Sequence, residues 1–187
     1  MNIPNRLTVF RIALVPVFCI LAFIANKTGS SALYLASGIV FAAASLTDLL
    51  DGYLARKLGL VTDLGKFMDP LADKMLTTAA LLFMMREGVC SIAVLVLILS
   101  REFAVSGLRM LAASRKESKV ISAGIWGKLK TAFQMLTIAA FYFGASLLAD
   151  NQIFRASVYY SCWICAAMAL VSGAVYFADH IKIFKTA

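Results

Sequence analysis

Acidic residues are scarce in this chain. Ten Asp and Glu stand against 18 Lys and Arg, for a net charge of +8 with the single histidine neutral. A basic excess can mark a nucleic-acid partner, but here it is spread over short segments between apolar runs, which suits an anionic membrane leaflet and argues for no nucleic acid. The one histidine, His180, follows the last apolar run. A cation there suits a helix C-terminus, and no catalytic role falls to it. The four cysteines, Cys19, Cys90, Cys162 and Cys165, all lie in or beside apolar runs. Cys162 and Cys165 form a C-x-x-C, yet no second ligand pair and no βαβ pattern accompanies it, so apolar packing is the better reading than redox or metal chemistry. No internal repeat, low-complexity tract or second domain is visible, which makes residues 1–187 one domain.

What the chain has in quantity is hydrocarbon. Hydrophobic residues make up 61% of it and the mean hydropathy is +0.85, outside the range of ordinary soluble domains. At about 20 residues per helical span, polar interruptions divide the chain into six helices, over Leu7–Ala25, Ala32–Leu54, Phe67–Met85, Val89–Ala113, Leu129–Ala149 and Phe154–Phe177. The expected fold class is all-α, a polytopic bundle of six transmembrane helices. Arg6 and Arg11 followed by the apolar run from Ile12 to Ala25 have the outline of a signal peptide. No small-x-small site follows, however, and Pro16 interrupts the run, so an uncleaved first helix is expected. With both termini in the cytoplasm, most basic residues fall on that side and only Lys27, Arg86 and Arg155 on the other. The positive-inside rule therefore favours a multi-pass cell-membrane protein with both termini cytoplasmic.

Five of the ten acids are concentrated between Asp48 and Asp73, in the stretch DLLDGYLARKLGLVTDLGKFMDPLAD, and four of them pair by their spacing. On helices, Asp48 and Asp51 at i, i+3 and Asp69 and Asp73 at i, i+4 each share one face. Burying four unpaired carboxylates at bilayer depth would cost roughly 10 to 14 kcal/mol even on a lenient scale. Hard divalent cations neutralise such a set with oxygen ligands alone, and two of them form the usual clamp for displacement at phosphorus. Gly52 permits a close backbone approach by a pyrophosphate. Arg56, one turn further on, is either a phosphate contact or an arginine that snorkels at a helix end, and its spacing from Asp51 favours the phosphate. Gly65 and Pro70 suit a hairpin in which the third helix starts just before the proline. A Thr62-Asp63 pair can cap a helix, which leaves Asp63 outside the site.

The pattern D-x2-D-G-x2-A-R-x8-G-x3-D-x3-D, fixed here by Asp48, Asp51, Gly52, Ala55, Arg56, Gly65, Asp69 and Asp73, resembles the signature of the CDP-alcohol phosphotransferase family at every position. The resemblance implies an integral membrane enzyme with a cytoplasm-facing active site. It implies a two-metal site of Mg2+ or Mn2+ on Asp48, Asp51, Asp69 and Asp73, with Asp73 also the candidate base. It further implies a nucleotide site at Gly52, Ala55 and Arg56, with Asn5 of the N-terminal segment. Three further segments are similar to family members that use glycerol 3-phosphate: Asn2 to Arg11, Arg101-Glu102 to Arg109, and Gly127 to Thr131. The implied partners are thus CDP-diacylglycerol, sn-glycerol 3-phosphate, membrane lipids and a second copy of the chain in a homodimer. The acceptor's dianionic phosphate calls for cations, for which Arg109, Lys128 and Lys130 are the candidates.

Other acceptors remain open at this stage, among them serine, inositol phosphate or a phospholipid. Intramembrane carboxylates also occur in cation transporters. A transporter of that kind carries its charges near the midplane of two matching halves, whereas this chain gathers them toward one face.

Overall fold

A computed structural model describes the backbone of residues 3–58, 63–114 and 124–179, and the side chains of residues 10–47, 74–108 and 124–178. The architecture is helical, with no strand among the described residues. Six helices follow one another: α1 (Ile3–Thr28), α2 (Ser31–Leu58), α3 (Asp63–Arg86), α4 (Ile92–Ser114), α5 (Ile125–Leu148) and α6 (Gln152–Asp179). Each has between 23 and 28 residues, or about 35 to 42 Å at the α-helical rise, enough to span a hydrocarbon core.

Three helices are also apolar enough to cross a membrane by composition: Phe10–Thr28, Ile125–Leu148 and Gln152–Ala178. The described part of α2, Ser31–Thr47, is apolar but shorter. Helices α3 and α4 are diluted by Lys74, Arg86, Arg101 and Glu102. The surface confirms what surrounds the bundle. Phe10, Ile20, Leu46, Ile92, Phe103, Leu136 and Ile153 are all more than half exposed, a distribution stable in hydrocarbon and costly in water.

The described connections, between α1 and α2, α3 and α4, and α5 and α6, are short. Gly29 and Gly88, at φ +67° and +76°, end α1 and α3 in the left-handed conformation that residues with a Cβ seldom adopt. The Gly88 turn also explains why α4 begins at Ile92 and not at Val89. Asn151 caps α6, its side-chain oxygen accepting from the N–H groups of Ile153 (2.9 Å) and Phe154 (3.1 Å).

The core forms where α1 packs on α2 and α3, α5 packs on α2 and α6, and α4 packs on α6. Phe18 of α1 is at its centre, edge-on to Tyr142 at 5.3 Å and tilted against Phe41 at 6.0 Å. Gly38 lets α2 approach α5, since a Cβ there would lie 3.3 Å from Tyr142 and Phe143. One end of the bundle is closed by polar contacts: Tyr34 donates to Glu87 at 2.5 Å, and Arg155 reaches both the Glu87 carbonyl and, at 3.8 Å, its carboxylate. The aspartates belong to the other end.

One expectation is corrected by the backbone. Helix α3 starts at Asp63, so Gly65 lies inside it and Pro70 is in its interior, not its first turn. An acid at the first position suits the helix N-terminus, and the helix extends through Pro70 although that residue has no N–H to contribute.

Candidate active site

Asp48, Asp51, Gly52, Ala55 and Arg56 lie on the last turns of α2, and Asp69 and Asp73 on the first half of α3. Their side chains fall outside the described residues, as do those of Asn5 and Arg109. The helical register still fixes their depth. Asp48 is ten residues from the end of α2 and Asp73 ten from the start of α3, about 15 Å in each case, while Asp51 and Asp69 lie at about 10 Å. Four carboxylates on two consecutive helices are an all-oxygen set of the kind that suits hard divalent cations. Among the described residues no group of three or more His, Cys, Asp or Glu gathers.

Described side chains around that level are cationic. The Lys74 ammonium, one residue after Asp73, donates to the Glu102 carbonyl at 3.2 Å and to the Ser106 hydroxyl. On α5, Lys130 is 1% exposed and donates to the Glu102 carboxylate. Arg101 is 3.4 Å from the same carboxylate and donates to Ser172 of α6 at 2.5 Å. Gly173 leaves room for it, because a Cβ there would meet the Arg101 stem at 3.1 Å. Arg11 of α1, at the corresponding end of the bundle, is fully buried. A buried cation near membrane depth is costly unless an anion accompanies it. Here Glu102 accompanies Lys130 and Arg101.

Lys128 and Lys130 are separated by the structure. Two residues apart on one helix they point to different sides: Lys130 is buried and Lys128 exposed. Arg109 follows Glu102 by seven residues on α4, which places both on one helix face, with Ser106 between them. Below Lys130, Gln134 and Thr137 continue a buried polar stripe on α5. The Gln134 Oε1 has no hydrogen-bond partner among the described residues, so this stripe retains an unused acceptor. Composition and motif spacing pointed to none of Ser106, Gln134, Thr137 or Ser172. The only available signal was a polar residue recurring at helical spacing inside an apolar run, as at Lys130, Gln134 and Thr137.

Residues 1–175 match the sequence profile of the family described as CDP-alcohol phosphatidyltransferase. The chain belongs to that family. A Bacillus subtilis (strain 168) protein named CDP-diacylglycerol–glycerol-3-phosphate 3-phosphatidyltransferase is 38% identical over 99% of this chain and 98% of its own length. A Rickettsia bellii protein of the same name is 38% identical over 98% and 97%. A Mycobacterium tuberculosis relative, a probable phosphatidylglycerophosphate synthase, is 42% identical over 75% of this chain and 65% of its own length. As a CDP-alcohol phosphatidyltransferase the chain is a membrane transferase of phospholipid biosynthesis, not a cation transporter.

Proposed function

We propose that this protein transfers the phosphatidyl group of CDP-diacylglycerol to sn-glycerol 3-phosphate, giving phosphatidylglycerophosphate and CMP. The observation that carries the choice of acceptor is the buried ammonium of Lys130 at the aspartate-bearing end, with Lys74 and Arg101 converging on the same residue, Glu102. A dianionic phosphate makes fuller use of such a set than the single carboxylate of zwitterionic serine. The near-full-length similarity to relatives named for this reaction supports the same choice.

The residues divide the work. Gly52, Ala55 and Arg56, with Asn5, line the CDP site, where the arginine holds phosphate oxygens. Lys130 and Arg109 bind the acceptor's phosphate, and the exposed Lys128 contributes attraction at the entrance. This orients the acceptor's free hydroxyl toward the lipid-linked phosphorus. Asp73 takes the hydroxyl proton as the new O–P bond forms, and the bond to CMP breaks with its electron pair leaving on the CMP phosphate. Asp48, Asp51, Asp69 and Asp73 would hold two divalent cations, Mg2+ or Mn2+, which supply neutralisation of the pyrophosphate charge. The protein lies in the cell membrane as a homodimer, with both termini and the aspartate end facing the cytoplasm, where the basic residues are concentrated. The test is direct competition: purified protein offered CDP-diacylglycerol with equal glycerol 3-phosphate and serine should form phosphatidylglycerophosphate. Preferential formation of phosphatidylserine would refute the acceptor.

A further inference from the structure

We propose that Glu102 is a positioning residue for the acceptor, holding the Lys130 ammonium in place between α4 and α5. The proposal rests on the glycerol 3-phosphate reading, whose phosphate gives that ammonium its ligand. Helix α4 packs on α6, and α5 on α2 and α6, whereas among the described residues α4 and α5 make little backbone contact. The pair between Glu102 and Lys130 therefore joins two helices whose described backbones approach each other little. Its two ends differ. The Lys130 side chain is 1% exposed and that of Glu102 is 21% exposed, so the pair opens on the Glu102 side, along the face that carries Ser106 and Arg109.

Glu102 orients the Lys130 side chain, because the Lys130 ammonium donates to its Oε1. The same carboxylate draws in Arg101, while the backbone carbonyl of Glu102 receives Lys74. Cations from α3, α4 and α5 thus converge on one residue adjacent in level to Asp73.

The experiment measures KM for each substrate and the thermal midpoint of the detergent-purified, full-length protein, for wild type, Glu102→Gln, Glu102→Asp and the exchanged pair E102K/K130E. Glu102→Gln keeps the shape and an oxygen acceptor but removes the charge. It should raise KM for glycerol 3-phosphate about ten- to a hundredfold and leave that for CDP-diacylglycerol within about twofold. The exchanged pair should recover the wild-type midpoint but not the KM, since a cation at 102 and an anion at 130 hold the helices and repel the phosphate. A Glu102→Gln protein that changes both KM values alike, or an exchanged pair that restores KM together with the midpoint, would reduce Glu102 to a structural partner. If Glu102→Gln does not survive extraction, Glu102→Asp, which keeps the charge one methylene back, is judged by the same ratio of KM values. Wild type that releases no CMP with glycerol 3-phosphate removes the acceptor reading and this role with it. Wild-type turnover with an unchanged KM ratio in the variants removes only the role of Glu102.

Discussion

Replacing Lys130 by methionine isolates its charge. Methionine keeps most of the buried stem, so the packing of a side chain that is 1% exposed is largely retained while the ammonium is lost. Two consequences follow from the geometry. Glu102 loses a hydrogen-bonded partner but retains Arg101 at 3.4 Å and is itself partly exposed. The destabilisation should therefore fall below the roughly 3 to 5 kcal/mol typical of a broken buried pair. The acceptor loses one charge-assisted contact, worth about 1.5 to 3 kcal/mol, or about ten- to a hundredfold in KM for glycerol 3-phosphate. Lost ground-state binding to one substrate appears in that substrate's KM, so CDP-diacylglycerol should be nearly unaffected. Lys128→Met is the internal control: that residue is exposed on another side of α5, and its loss should change KM by no more than about twofold, as screened surface charges do. The assay is steady-state CMP release in mixed micelles with each substrate varied in turn. A Lys130→Met enzyme with wild-type KM for glycerol 3-phosphate, or a larger effect from Lys128, would refute the assignment.

Asp48, Asp51, Asp69 and Asp73 should each become nearly inactive as Asn. Loss of a ligand charge should weaken Mn2+ affinity, whereas Asp73→Asn should lose turnover with the larger share of binding retained, and an Asp51→Asn enzyme of full activity would exclude the four-aspartate site. Orientation is checked by single-cysteine labelling in intact cells. Position 27, exposed at the end of α1, should react with an impermeant reagent and position 116 should not; labelling of position 116 from outside would invert the topology.

The apolar runs made all six helices legible, because a chain with so few charges marks its spans by where the charges interrupt them. The ends were less legible. α3 begins at Asp63, several residues before the expected Phe67, since polar residues continue a helix once its first turn is in place and the end of an apolar run is not the end of a hydrogen-bond ladder. Pro70 was read as a first-turn residue on the strength of its preferred position, and the helix accommodates it further in. Partners across the bundle were not legible. Nothing in the order of residues joins Lys130 to Glu102, Arg101 to Ser172 or Tyr34 to Glu87, for these contacts depend on how the helices are arranged. The separation of Lys128 from Lys130 was recoverable from helical period alone, which turns residues two apart to different faces.

The central claim is tested most directly by CMP release from CDP-diacylglycerol, with purified protein, a panel of glycerol 3-phosphate, serine and inositol phosphate, and added or chelated Mg2+ and Mn2+. Release should require a divalent cation, stop on chelation, and be fastest with glycerol 3-phosphate. Release that persists in excess chelator would contradict the aspartate site, and faster release with serine or inositol phosphate would contradict the acceptor.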